Sequence, residues 1–132
     1  MIFDTSYTDK RTTRKINEAV GLPFSWKERW KYGGIGSKRM VIKDISAEYK
    51  KYMKAAHYLS NANIELRPKG IIIHFKHKLE SYAWIMPYAA LSIERSDEFV
   101  LKAAGRFISF HQELDQKFIV KLMNRWDAYE RL

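Results

Sequence analysis

Residues 82–93, YAWIMPYAALSI, most constrain how this chain folds, because they form a run of twelve uncharged residues. A helix that crosses a bilayer needs about 20 apolar residues, so this run is too short to span a membrane. Pro87, its sixth residue, lacks the amide hydrogen that a helix interior or a central strand uses. The run is therefore predicted to form two strands, 82–86 and 89–93, that meet at a bend.

The surrounding residues, 62–111, carry the pattern of a small antiparallel sheet. Turn signals separate short apolar segments at intervals of about 8–12 residues. The segment IIIHFKH is rich in β-branched and aromatic residues, which suit a pleated sheet. Ala104 and Gly105 form a two-residue hairpin signal, since glycine takes positive φ without strain. We expect six strands here and a seventh at RMVIK, residues 39–43.

Helices are predicted on both sides of these strands. In the first 36 residues, RTTRKINEAVGL predicts a short helix that ends at Gly21, and GGIG reads as a flexible joint. Ser46 is a candidate N-cap for a helix at 46–60, whose apolar stripe would comprise Tyr49, Tyr52, Met53, Ala56 and Leu59. Asp115 would cap a final helix at 115–131, with an apolar face of Phe118, Ile119, Leu122, Met123, Trp126 and Tyr129.

The totals favour one folded domain in a reducing compartment. The chain has 132 residues, 46% of them apolar, and no cysteine, so it offers neither a disulfide nor a thiolate metal site. The first residues lack the apolar run of a signal peptide. We expect a cytoplasmic protein, or one peripheral to the inner membrane.

The net charge of +9 is concentrated in residues 1–61, which hold 13 Lys and Arg against 6 Asp and Glu. Such a half suits nucleic acid, anionic lipid or an acidic partner. A solvated basic surface without any partner fits the same numbers equally well.

The pattern from the bent strand to the last helix, YAWIMPYAALSIERSDEFVLKAAGRFISFHQELDQKFIVKL, resembles the C-terminal half of the pleckstrin-homology-like (PH-like) domain of small membrane-associated bacterial proteins. The resemblance covers residues 62–130 and rests on Trp84, Ile85, Pro87, Tyr88, Phe107 and Phe110. It implies an α+β fold, namely an antiparallel β-barrel or sandwich of six to seven strands. A C-terminal amphipathic helix would plug one open end, and a helical extension would precede the domain.

The expected organisation is an N-terminal extension at 1–36 and a PH-like domain at 37–132. The domain divides into a strand and helix at 37–61, strands at 62–111 and a C-terminal helix at 115–131. Many of the bacterial relatives carry membrane-spanning helices that this sequence lacks. The basic cluster with which PH domains bind inositides is reduced here to Arg67 and Lys69. Inositide binding is therefore not implied, and these two residues are predicted only as an anion contact.

Catalytic and metal-binding patterns are weak. Glu80, Glu94 and Asp97 lie in or beside predicted turns, whereas acid–base catalysis needs carboxylates held in a cleft. His74 and His77 are three residues apart, which on a strand sends them to opposite faces. We expect no catalytic residue, no metal site and no cofactor.

The segment PFSWKERWKY, residues 23–32, is the strongest candidate contact surface. Its aromatic and basic side chains alternate, the candidate contacts being Phe24, Trp26, Lys27, Arg29, Trp30 and Lys31. This mixture suits the interface of an anionic membrane. It also suits packing onto the protein's own sheet or onto a neighbouring chain, and at this stage packing is the favoured alternative.

The expected function is a non-catalytic binding or scaffolding module, for a protein partner or an anionic membrane surface, with homo-oligomer formation as a further expectation. The alternative is a nucleic-acid-binding protein that uses the basic surface. HFKHK and AGRFISF mix basic and aromatic residues as single-strand binders do. Phe75, Phe107 and Phe110 are, however, also needed to fill a small core.

Overall fold

Eight antiparallel strands form one open sheet in this computed structural model, which describes residues 1–53, 60–111 and 115–131. The strands are β1 (Ile2–Asp4), β2 (Met40–Ile45), β3 (Asn61–Arg67), β4 (Gly70–His77), β5 (Glu80–Pro87), β6 (Ser92–Arg95), β7 (Phe99–Ala103) and β8 (Arg106–Phe110). They lie side by side in the order β1-β5-β4-β3-β2-β8-β7-β6. The helices are α1 (Lys10–Val20), α2 (Trp26–Lys31), α3 (Gln116–Glu130) and a 3₁₀-helix at Ala47–Tyr52.

Strand β2 joins the two halves of this sheet. Its first residues, Met40 and Val41, pair with β3, whereas Ile42 and Ile45 pair with β8. The register shifts between Ile42 and Asp44, and such a bulge bends a strand. Both halves therefore turn their apolar side chains toward one common core.

Strands β4 and β5 are buried on both faces. Ile71, Ile73 and Phe75 alternate into the common core, while Ile72 points to the opposite face. Helix α1 covers that second face with its apolar residues, in a smaller cluster of Ile16, Val20, Ile72, Ala83 and Ile85. This burial on both faces explains why the sequences of these strands contain nearly continuous apolar runs.

Helix α3 closes the common core. The carboxylate of Asp115 accepts a hydrogen bond from the amide of Phe118, which caps the helix as the sequence predicts. Phe118, Ile119 and Leu122 are buried in the core. The indole nitrogen of Trp126 donates to the Leu91 carbonyl at 3.0 Å, which ties α3 to the turn after β5.

The first 36 residues pack against the rest of the chain. Strand β1 pairs with β5, α1 lies on β4 and β5, and Phe24 is 6% exposed in the common core. No helix in the described part of the chain is long and apolar enough to cross a membrane. The segment predicted as a flexible joint pairs with β3 instead, since Ile35 accepts from Leu66 and Ser37 donates to Ile64.

The antiparallel sheet with a C-terminal helix is confirmed, but two parts of the predicted fold are wrong. The described residues form eight strands rather than six or seven, because β1 adds one beside β5, and the sheet does not close into a barrel. Strand β6 begins at Ser92, since Ala89 and Ala90 lie in a turn after Pro87.

The helix predicted at 46–60 is described only in its first part, as a 3₁₀-helix, and residues 54–59 lie outside the described residues. Ser46 does not cap this helix through its side chain. Its hydroxyl accepts a hydrogen bond from the amide of Phe107 at 2.7 Å instead. Ser46 therefore occupies the N-cap position as predicted, but the predicted side-chain cap is wrong, because a tertiary donor binds the hydroxyl.

We expect Gly70→Ala to lower the free energy of unfolding by about 1–3 kcal/mol, as overpacking a tight site does. A β-carbon at this position would lie 2.5 Å from the Met86 carbonyl oxygen and 2.7 Å from a methyl carbon of Val20. Gly36→Ala is the matched control, because its nearest neighbour, the Ile64 carbonyl oxygen, would lie 4.0 Å away. Urea unfolding measures both, and equal stability of the two variants would contradict the close packing of α1 on the β3–β4 turn.

We expect Tyr88→Phe to raise the free energy of unfolding by about 1 kcal/mol at neutral pH, because the Tyr88 hydroxyl is buried without a hydrogen-bond partner among the described residues. Burial raises the pKa of Tyr88 to about 12, although Arg125 opposes the shift. The unfolded tyrosine ionises first, near its ordinary pKa of 10.0. The parent protein therefore loses stability between these two pH values, and the phenylalanine variant lacks this part of the loss.

Thermal or urea unfolding at neutral and alkaline pH measures this difference. Tyr129→Phe is the control, since its ring lies 5.6 Å from that of Tyr88 but is only partly buried. A marked loss of stability in Tyr88→Phe at neutral pH would contradict the missing hydrogen bond.

Candidate functional site

The candidate contact segment folds into α2 through a capping box. The Ser25 hydroxyl accepts a hydrogen bond from the Glu28 amide at 3.3 Å, and the Glu28 carboxylate accepts one from the Ser25 amide at 3.0 Å. This reciprocal pair satisfies two amides at the start of the helix. The bond from the Ser25 amide lowers the pKa of Glu28. The capping box thus sets where this six-residue helix begins.

Helix α2 presents its two tryptophans to solvent. Trp26 and Trp30 are four residues apart, on one face of the helix, and each is 89% exposed. Phe24, only two residues before Trp26, is buried in the common core. Of the three predicted aromatic contacts, Phe24 therefore packs in the core, and Trp26 and Trp30 remain accessible to a partner. Exposed large aromatics of this kind mark interaction surfaces.

Arg125 of α3 fastens this segment to the core. Its guanidinium carbon lies 4.4 Å from the centre of the Phe24 ring and 4.6 Å from the centre of the Tyr32 ring. The two rings pack edge to face, with their centres 5.6 Å apart. Because Arg125 contacts a ring on each side of α2, it holds both ends of the helix through cation–π interactions.

Three further hydrogen bonds support this attachment. Arg29 donates from Nε to the Phe24 carbonyl at 3.0 Å. Lys121, one helical turn before Arg125, donates from Nζ to the carbonyls of Gly33 and Gly34 at 3.0 and 3.3 Å. The predicted contact Arg29 is therefore used within the segment. Lys121 contacts the carbonyls that follow α2, as cations near a helix C-terminus often do.

Lys27 and Lys31 supply the accessible positive charge of α2. Both are exposed, and neither is in an ion pair within the described residues. Leu22, 68% exposed, adds an apolar side chain just before the helix. The solvent-exposed surface of α2 thus combines two indole rings with two ammonium groups. Residues of α3 hold the segment in place.

Arg67 and Lys69, the predicted anion contact, have different environments. Arg67 is 8% exposed and donates to Glu65, Asn17 and the Gly21 carbonyl, at 2.6, 3.0 and 2.8 Å respectively. This network joins α1 to β3, so the guanidinium is already occupied by internal acceptors. Lys69 is exposed. An anion contact at this turn stays a prediction, with Lys69 as its accessible member.

The described histidines do not form a metal site. His74 shares a hydrogen bond with Glu65 at 2.8 Å, and His111 is exposed. Within residues 1–53, 60–111 and 115–131, no three histidine or carboxylate groups lie close enough to hold an ion. His57 lies outside the described residues.

Sequence reasoning missed Lys121 and Arg125, which lie on α3 outside its predicted apolar face. Their spacing of four residues was visible and puts both side chains on one face of the helix. The spacing does not predict which residues these side chains contact, because the segment 23–34 that they hold lies far away in the sequence.

We expect Arg125→Gln to lower the free energy of unfolding by about 1–2 kcal/mol and to loosen α2, because each of its two cation–π contacts is worth about 0.5–1 kcal/mol at a partly exposed site. Amide hydrogen exchange should accelerate at Arg29 and Tyr32, whose amides donate to Ser25 and Glu28 within α2. Asn124→Ala, at an exposed neighbouring position, is the control. Unchanged exchange at α2 in Arg125→Gln would show that other contacts hold the helix.

Comparison with known proteins adds no relative to this description. The chain matches no protein-family model, no curated protein and no solved structure. The features that bear on function are the geometry of α2, its attachment to α3 and the distribution of charge over the described residues.

Proposed function

We propose that this chain is a non-catalytic binding module that attaches to an anionic membrane surface through α2. The observation that carries the proposal is the exposure of Trp26 and Trp30, 89% each, on one face of a helix that is fixed to the core from its other side. In this arrangement the indole rings enter the headgroup region, and Lys27 and Lys31 lie beside the anionic lipid phosphates.

The chemistry of this surface fits the membrane interface. Tryptophan favours the headgroup level, where its ring is partly apolar and its N–H finds an acceptor. Each lysine near an anionic surface contributes about 1 kcal/mol of attraction. The segment is already ordered by Arg125 and Lys121, so binding does not have to order it, and less conformational entropy is lost.

Charge favours a membrane over a protein partner at this surface. The chain carries +9 overall, and the two free cations of α2 border its tryptophans directly. A protein that covered the same surface would need an apolar patch bordered by acidic groups. An anionic bilayer offers both features without a shaped pocket.

The fold supports a PH-like assignment as part of this proposal. Strands β2 to β8 follow one another as seven antiparallel strands in two groups that share β2, and α3 packs its apolar residues into the core after the last strand. This order of strands and helix agrees with a PH-like domain, whereas the open sheet departs from the closed barrel of that fold. The additions are β1 at one edge and α1 on the outer face of β4 and β5.

Nucleic-acid binding through the aromatic strands receives less support. Phe75 is 5% exposed and Phe110 is fully buried, so neither ring is free to stack on a base. Phe107 is partly exposed. The tryptophans of α2 remain the largest free aromatic surface among the described residues.

Co-sedimentation with vesicles tests the proposal. We expect binding to vesicles of phosphatidylcholine with phosphatidylglycerol, weaker binding as salt rises, and little binding to phosphatidylcholine alone. Trp26→Ala/Trp30→Ala should weaken binding to anionic vesicles at least about tenfold, because each buried indole contributes on the order of 1–2 kcal/mol. Tyr7→Ala, at an aromatic position 87% exposed outside α2, is the matched control.

Tryptophan fluorescence supplies an independent reading. The fluorescence of Trp26 and Trp30 should shift to shorter wavelength on anionic vesicles. The shift should disappear in the double variant, since Trp84 is buried and Trp126 packs against the core. No sedimentation at low salt would refute the membrane proposal. Equal binding by the double variant and Tyr7→Ala would refute the role of α2.

A further inference from the structure

A second unassigned surface lies on the outer face of the sheet, beyond the part that α1 covers. On this face Asn63 lies opposite His74 on β4, and Lys76 lies opposite Ser81 on β5. These side chains continue the row that begins with Ile72 beneath α1. A cavity of about 470 Å³ opens here and extends to Arg39 and to Lys78 in the β4–β5 turn.

The lining of this cavity is cationic and rich in hydrogen-bond donors. Four of its side chains are basic, and others carry amide or hydroxyl groups. The side chains that can donate hydrogen bonds to a ligand include Arg39, Asn61, Asn63, Lys76, Lys78 and Ser81. None of the described residues that line it is acidic. Carboxylates beside the cavity have other partners: Glu65 binds Arg67 and His74, Glu80 accepts from the hydroxyl of Tyr82, and Asp4 accepts from the amide of Ser6.

Three of the four basic side chains of this cavity are unpaired, the fourth being His74, in contrast to other cations on the sheet. Lys43 pairs with Glu98 and Lys102 pairs with Glu94, at 2.7 and 2.9 Å. Arg39, Lys76 and Lys78 have no ion pair or hydrogen bond from their charged groups within the part of the chain that the structure describes. Three unpaired like charges around one cavity repel one another, and an anion placed between them relieves that repulsion.

We propose that this cavity binds a phosphate monoester. A guanidinium presents a planar pair of donors to phosphate oxygens, and ammonium groups add strong charge-assisted hydrogen bonds. Arg39 supplies the first kind of donor, Lys76 and Lys78 the second, and the amides and hydroxyls of the lining satisfy the remaining oxygens. The phosphate belongs either to a soluble metabolite or to a lipid headgroup, since both present the same group.

This site is separate from α2. The C-terminal end of α1 meets the β3–β4 turn, where a β-carbon on Gly21 would lie 3.2 Å from Pro68, and α2 follows from there. The cavity reaches Lys78 in the β4–β5 turn, at the other end of β4. Phosphate binding therefore does not depend on the proposed membrane attachment.

Titration with inorganic phosphate and with glycerol 3-phosphate, at constant ionic strength set with chloride, tests the proposal by NMR of the backbone amides. We expect saturable shifts at Asn61, Asn63, Lys76 and Ser81. Arg39→Gln/Lys76→Gln should weaken binding at least about tenfold, because the variant loses two charge-assisted contacts to the phosphate. Both positions are exposed, so the variant should fold, and circular dichroism checks this.

Lys15→Gln/Lys117→Gln is the matched control, since it removes two charges at exposed positions that do not line the cavity. It should bind phosphate as the parent does, and so should Trp26→Ala/Trp30→Ala. Shifts that grow linearly without saturation, or an equal loss in both glutamine double variants, would overturn the proposal and indicate a general charge effect.

Vesicles that contain phosphatidic acid distinguish the two sources of phosphate. In the Trp26→Ala/Trp30→Ala background, sedimentation with these vesicles that is abolished by Arg39→Gln/Lys76→Gln supports a lipid headgroup. Saturable binding of glycerol 3-phosphate without such sedimentation supports a soluble phosphate monoester. Binding of neither ligand would overturn the proposal while leaving the role of α2 untouched.

Discussion

The bend in β2 is the constraint on which the rest of the structure depends. Because β2 pairs first with β3 and then with β8, the two halves of the sheet face each other across one core. Only that arrangement gives α3 a shared apolar surface for Phe118 and Leu122. The outward side of α3 then holds α2 through Arg125. The candidate contact surface is thus positioned by a strand that never touches it.

The sequence predicts the elements whose signals are local and misses those that depend on distant partners. Alternation and turn residues locate most of the strands, and Asp115 correctly marks the start of α3. Strand β1 has three residues and no pattern of its own, so only its pairing with β5 reveals it. Serine is a favoured N-cap residue, yet the hydroxyl of Ser46 accepts a hydrogen bond from the amide of Phe107, 61 residues away. Whether a sheet closes is likewise a property of its edges, which no local pattern encodes.

The candidate site also has features that its local sequence predicts and features that depend on distant residues. The spacing of Trp26 and Trp30 predicts a shared face, and that face exists. Their exposure does not follow from the spacing, because packing of the segment onto its own sheet was the favoured alternative. The structure satisfies that alternative with Phe24 and Tyr32, which flank α2 and hold Arg125 between them. The aromatic segment is therefore both packed and exposed, and each role belongs to different residues.

The two proposed surfaces are electrostatically independent because β4 separates them. A strand rises about 3.3 Å per residue, so the eight residues of β4 place its ends about 25 Å apart. The Debye length is about 8 Å at physiological ionic strength, so cations at one end scarcely affect an anion at the other. Added salt weakens both membrane attachment and phosphate binding, because it screens the cations of each surface. Substitutions at one surface, in contrast, leave binding at the other surface unchanged.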